Sequence, residues 1–334
     1  LDQWRGDCLS ANGHPCVKTP NYDALIEDGV YFRRHYSVCA PCGPARASLL
    51  TGMYMQNHRS VRNGTPLDDR HTNIAREARK AGYRPVLFGY TDTSLDPKRY
   101  PDDEVRKHGY ESMMPGFEEG LLLPAEKPDA WMKFLREQGY GFDSLEAAYQ
   151  PVPDDSGAES RGRTYPPPAY SDEHCQTAFL TRETLSYIDG ARDNWFVHLS
   201  YLRPHPPFVA PEPWNRMYDP DPVPLPIRAE NMRSQSAQHP WLAAALGPHG
   251  DWFDPWNREA LQDEQAEKEI RQIRATYYGL VSKVDHYVGR LLDFLKSTGR
   301  CDNTLIIVTS DHGELLGDQW LFGKRGYFDS GYHI

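Results

Sequence analysis

Cys42-Gly43-Pro44-Ala45-Arg46 places a sulfur, a helix-starting proline and a guanidinium close together, and the segment runs on through Leu49 and Leu50 to Thr51-Gly52. Proline belongs in the first turn of a helix, where its missing N–H is not needed, and glycine is a natural stop after the last turn. Cys42 is therefore expected at a helix N-terminus. Such an end offers free N–H groups and partial positive charge, so it activates a thiol and attracts an anion. Arg46, one turn on, can add a bidentate clamp for an oxyanion. Cys39-Ala40-Pro41-Cys42 also has the spacing of a redox dithiol, although such a motif has no use for an arginine four residues later.

Three further groups stand where strands end. Thr309-Ser310-Asp311-His312-Gly313-Glu314 follows the apolar run Leu305-Ile306-Ile307-Val308, which sets a carboxylate beside an imidazole at a strand exit. That pairing suits a divalent metal, and equally an Asp–His hydrogen bond with no metal. Asp2 holds the same kind of position if a strand leads into it; taken alone it reads as a solvated end. His205 sits between prolines in Tyr201-Leu202-Arg203-Pro204-His205-Pro206-Pro207-Phe208, a stiff loop that presents one imidazole to a substrate or to the backbone. Lys324, in Phe322-Gly323-Lys324-Arg325, reads by spacing alone as a surface lysine.

The elements that position these groups alternate. Thr19-Pro20 opens a helix that Gly29 ends, and a strand is expected at Val30–Phe32. Thr72–Ala81 reads as a second helix and Pro85–Tyr90 as the strand after it. Trp195–Leu202 is an apolar strand, and Ile270, Ile273, Tyr277, Leu280, Val284, Val288, Leu291 and Leu295 mark one face of a long helix that ends at Gly299. Continuous apolar strands alternating with helices imply an α/β fold: a large, mostly parallel sheet with helices on both faces. Ligands then gather at the carboxyl ends of the strands. Residues 147–170 and 203–258 break the rhythm, being rich in proline, glycine and polar residues. They read as loop-rich insertions acting as lids, binding loops or homo-oligomer contacts, with Trp214, Trp241, Trp252 and Trp256 either contacting ligand or simply packing the loops down.

At 334 residues, with a formal charge of −10, the chain offers no general attraction to nucleic acid or an anionic membrane, so an anionic substrate must be held locally. Cysteines at 8, 16, 39, 42, 175 and 301 are too sparse for a disulfide framework and point to a reducing, cytoplasmic setting. No apolar run approaches the roughly 20 residues of a membrane helix. Leu1-Asp2-Gln3 reads as the exit of a strand and Gly331–Ile334 stops without a cap, so both ends read as cut, and a signal peptide is left open.

Cys42-Gly43-Pro44-Ala45-Arg46 with Leu49-Leu50-Thr51-Gly52 resembles the signature of type I sulfatases and of the phosphonate monoester hydrolases in the alkaline phosphatase superfamily. Thr19-Pro20-Asn21 to Gly29-Val30, and Ser310-Asp311-His312-Gly313-Glu314 with Leu316-Gly317-Asp318, extend the likeness through nearly the whole chain. The resemblance implies one catalytic domain over residues 1–334, without the family's C-terminal subdomain. It implies that Cys42 is oxidised to formylglycine by a modifying enzyme, and that Asp2, Cys42, Asp311 and His312 hold a divalent metal. Calcium or manganese suits that set best and zinc is possible. Arg46 and Lys324 would steady the anion and His205, or failing it Lys324, would protonate the leaving group. Gln3, Asn63 and Tyr90 would contact substrate. Gln3 after Asp2, His312 after Asp311 and Met53 after Gly52 incline toward the phosphonate monoester and phosphodiester branch; Asp92, where threonine is expected, would weaken anion binding or favour a cationic substrate. The implied activity is hydrolysis of phosphonate monoesters, phosphodiesters or sulfate esters. A strict sulfatase is the nearest alternative, and an anion-binding protein with unmodified Cys42 is the alternative of another class.

Overall fold

A computed structural model of the chain describes residues 1–100, 111–152, 161–192, 194–247 and 264–334, the side chains of 264–266 excepted. In chain order the framework is α1 (Pro20–Asp28), α2 (Cys42–Thr51), α3 (Ile74–Lys80), β1 (Arg84–Gly89), β2 (Glu118–Leu122), α4 (Asp129–Glu137), α5 (Gln176–Gly190), β3 (Trp195–Leu199) and α6 (Glu264–Ser297). β1 lies between β2 and β3 and is parallel to both, with Arg84 opposite Trp195 and Phe88 opposite Leu199. Successive side chains of a strand face opposite ways, and β1 uses both faces. Val86 and Phe88 join a large core with Trp131, Phe179, Tyr277 and Val284 from α4, α5 and α6, while Leu87 joins Ala47, Leu50 and Ala75 from α2 and α3 on the other side. The apolar stripe of α6 is buried at Ile270, Ile273, Tyr277, Leu280, Val284, Val288 and Leu295.

Two expected strands do not form. Val30 and Phe32 are 83% and 70% exposed, and no strand is assigned there. Leu305–Val308 is also unassigned, with Leu305 86% exposed; its neighbour Leu1 donates to the Thr309 carbonyl and accepts from the Asp311 N–H and the Ser310 hydroxyl, all beyond the run itself. An apolar run becomes a strand only where a neighbour supplies main-chain partners along its length. Residues 203–247 are more ordered than expected, with a turn at Trp214–Arg216 and short helices at Met232–Ser236 and Pro240–Ala245. Trp214 packs its main chain on α6 at Gly279, and Trp241 meets Phe328 with ring centres 5.9 Å apart. These tryptophans hold the loop down; Trp252 and Trp256 lie outside the described residues, as do residues 153–160.

Candidate metal centre and anion site

Residues far apart in the chain converge at the carboxyl end of the sheet. Asp2 donates its N–H to the Tyr201 carbonyl (3.1 Å) just past β3, and Leu1 is hydrogen-bonded to Thr309 and Asp311, so the first residues lie between two chain exits. Across from them α2 begins at Cys42 and is stopped by Gly52, whose left-handed φ of 69° returns its N–H to Ser48. Asp2, Cys42, Asp311 and His312 are all buried, and one donor atom from each lies within 4.8 Å of all the others. The edges of this cluster include 3.2 Å from His312 Nε2 to Cys42 Sγ, 3.7 Å from His312 Nε2 to Asp311 Oδ1, and 4.0 Å from Cys42 Sγ to Asp2 Oδ1. Two carboxylates, an imidazole and a fourth donor so placed fit one divalent ion.

Arg46 stands behind this cluster. Its Nε donates to Asp311 Oδ2 (2.9 Å), Nη2 to Asp2 Oδ2 (3.1 Å), and Nη1 to the Tyr90 carbonyl (3.0 Å) and Ser200 Oγ (2.7 Å). The guanidinium also lies 4.3 Å from the centre of the Tyr90 ring. Each aspartate thus gives Oδ2 to Arg46 and turns Oδ1 toward Cys42 and His312. This differs from the oxyanion clamp expected from the sequence, because nearly all of the guanidinium's donors are already engaged. The helix spacing that puts Arg46 one turn after Cys42 aims it at the carboxylates flanking that residue.

Charge states follow from burial and neighbours. Burial and the Asp2 carboxylate push the Cys42 thiol well above its ordinary pKa, outweighing the helix end, so the activated thiol expected from the sequence is a neutral one. Burial opposes ionisation of Asp2, but His205, Arg46 and Lys324 overcome it and hold the carboxyl well below the usual range. Lys324 is raised despite its burial, by Cys42, Asp2 and Asp311. His312 Nδ1 lies 3.0 Å from the Gly313 carbonyl, which can only accept, so Nε2 keeps its lone pair toward the cluster. His205 repeats the device: Nδ1 is 2.8 Å from the Pro206 carbonyl, and burial and then Lys324 lower its pKa to about 4. At neutral pH Lys324 therefore carries a proton and His205 does not, which reverses the order in which the sequence ranked them as acids.

The other expected contacts hold the site together. Tyr90 donates its hydroxyl to Asp2 Oδ2, and Asn63 Oδ1 accepts the Gly43 N–H (2.9 Å), satisfying a free donor of the helix start. Gln3 donates its main-chain N–H to Asp311 Oδ1 (3.1 Å), and its Oε1 accepts from Lys324 Nζ (2.6 Å). Asp92 turns toward Arg46 Nε (3.8 Å), as a third carboxyl around one guanidinium. Ser200, Tyr277 and Glu314 also belong to the site, although the sequence did not single them out. Ser200 could have been found as the first polar residue after the apolar run of β3. Tyr277, whose hydroxyl binds the Gln3 carbonyl (2.7 Å), is indistinguishable in sequence from the rest of the α6 stripe. All six cysteines are free: Cys39 contacts Ser48 and Cys42 contacts His312.

The family model described as Sulfatase matches residues 1–334. The chain belongs to the sulfatase family. It is 41% identical, over all of its length and 66% of the relative's, to the multifunctional alkaline phosphatase superfamily protein PehA of Trinickia caryophylli. The crystal structure of a phosphonate monoester hydrolase of Agrobacterium radiobacter superposes with a TM-score of 0.89 at 45% identity, covering 100% of this chain and 65% of that one. An arylsulfatase of Clostridium perfringens is 27% identical over 97% of this chain and 64% of its own length. This sulfatase-family chain thus spans about two thirds of the length of these relatives, and its α/β fold is that of the phosphonate monoester hydrolase structure.

Proposed function

We propose that the chain is the catalytic unit of a metal- and formylglycine-dependent hydrolase of phosphonate monoesters, phosphodiesters or sulfate esters. The observation that carries this reading is the place of Cys42, as fourth member of a buried donor set with Asp2, Asp311 and His312 and at the start of a helix. A neutral thiol is a poor nucleophile there. Oxidised to a hydrated aldehyde by a modifying enzyme, residue 42 supplies oxygen, and the set becomes oxygen-rich with one imidazole, as calcium or manganese prefer and zinc accepts. A divalent ion so held lowers the pKa of a hydroxyl and neutralises charge on a nonbridging oxygen. Arg46 fixes the two carboxylates, Lys324 brings a positive charge to the substrate anion, and His205 presents an Nε2 lone pair at neutral pH. The likeness to phosphonate monoester hydrolases, closer than that to the arylsulfatase, favours phosphorus over sulfur esters. Six free cysteines favour a reducing compartment such as the cytoplasm, and no described helix is long and apolar enough to cross a membrane.

Two measurements on the purified full chain test the reading. Peptide mass spectrometry across Cys42 should show loss of sulfur and two hydrogens and gain of one oxygen. An unmodified thiol in protein from a host with the modifying enzyme favours the anion-binding alternative. Parallel assays on an aryl phosphonate monoester, a bis-aryl phosphate and an aryl sulfate should give the highest kcat/KM on a phosphorus ester; dominant turnover of the sulfate makes the protein a sulfatase instead.

A further inference from the structure

Glu314 lies two residues beyond His312, fully buried; Arg5 Nη1 donates to its main-chain carbonyl (3.1 Å), and its carboxylate forms no ion pair among the described residues. Its Oε1 accepts the main-chain N–H of Leu316 (3.0 Å) and of Gly323 (2.5 Å), and its Oε2 accepts Gln3 Nε2. The other end of the same amide, Gln3 Oε1, accepts from Lys324 Nζ. Gln3 is itself pinned, by the Asp311 carboxylate at its N–H and the Tyr277 hydroxyl at its carbonyl.

The order of these partners admits one arrangement. A carboxylate only accepts and an ammonium only donates, so a group between them must donate to one side and accept from the other, which an amide does and a second carboxylate does not. We infer that Glu314 is a positioning residue: by orienting the Gln3 amide and gripping the Gly323 N–H beside Lys324, it holds the lysine ammonium at the anion site. Because the amide is neutral, the charge of Lys324 is not cancelled by its anchor and remains available to the anion. The inference rests on the proposed role of Lys324 in meeting the substrate anion.

The test inverts the relay. In Glu314→Gln the new amide must keep its oxygen on Leu316 and Gly323, so its NH2 faces Gln3. Gln3 then turns over and points donors at Lys324. Binding of inorganic phosphate to the metal-loaded full chain is read by calorimetry, alongside kcat and KM on the best ester. We expect E314Q to weaken phosphate binding and raise KM about tenfold, as for a lost bond to a charged group. Glu314→Gln combined with Gln3→Met should bind no more than about threefold weaker than either single variant, a non-additivity that a shared relay produces and two independent structural defects do not. Gln3→Met, which leaves the main-chain bonds of Glu314 intact, should reproduce the loss and serves if E314Q does not fold. E314Q or Gln3→Met equal to wild type, a double variant whose loss is the product of the two single losses, or a wild type that does not bind phosphate each overturns the inference. Phosphate affinities in the expected pattern without hydrolysis of any ester refute the proposed activity and leave the relay standing.

Discussion

Asp92 is buried with φ at 49° and has no hydrogen-bond partner at Oδ1 among the described residues. Burial pushes its pKa well above the ordinary 3.8, against the pull of Arg46. An acid raised in the fold destabilises it progressively as pH climbs above the unfolded value. Asp92→Asn should therefore stabilise metal-free protein by about 1–3 kcal/mol in urea unfolding, more at pH 8 than at pH 4, since asparagine tolerates this backbone. Asp92→Thr should destabilise, because a β-branched residue is strained at positive φ. Equal effects of the two would locate the constraint elsewhere. The sequence showed that an acid departs from the family's threonine, but its partner and its backbone conformation were beyond sequence. His205 gives a second prediction. With its pKa lowered to about 4, it contributes no titration to kcat/KM between about pH 6 and 8, and His205→Asn should cost less than the roughly 100-fold expected of a general acid. An acidic limb near neutrality that vanishes in the variant would show the imidazolium to be the proton donor.

Elements were legible wherever local pattern and punctuation agreed. The proline starts and glycine stops of α1 and α2, the apolar core of β1 and the stripe of α6 all lie where the sequence put them. β2 was not legible: Glu118-Glu119-Gly120 carries no strand signal, and it pairs with β1 while Glu118 meets Arg79 (3.2 Å) and Arg84 (2.7 Å). Val30–Phe32 failed the other way, apolar in sequence but without a neighbour. The close approach of β1 to the chain leaving β3 carries a prediction. Gly89 has φ 105°, and a Cβ there would lie 2.3 Å from the Ser200 carbonyl oxygen, in the residue whose hydroxyl holds Arg46. Gly89→Ala should cost more than about 1 kcal/mol in urea unfolding and also weaken metal binding, by shifting Ser200 and with it Arg46. Loss of stability with unchanged metal affinity would separate the strand end from the site.

For the whole molecule, Asp2 and Asp311 share Arg46 in a buried place, and together with Cys42 and His312 they form a donor set that fits one divalent ion. Chelated protein should gain stability on adding manganese or calcium, by about 2.7 kcal/mol at a hundred times the dissociation constant, and Asp311→Asn should abolish the shift in thermal melting. No shift in wild type would exclude a resident ion in this set. The sequence by itself determined helices α1, α2 and α6, the strand β1 and the helix start at Cys42, because propensity and spacing are local properties. Only the tertiary structure decided that Arg46 holds carboxylates, that the Cys42 thiol is neutral, that His205 has lost its proton, and that Glu314 reaches Lys324 through Gln3, a residue 311 positions away in the chain. Burial and electrostatic interaction act through space, and the partners that set them come from stretches that no spacing rule connects.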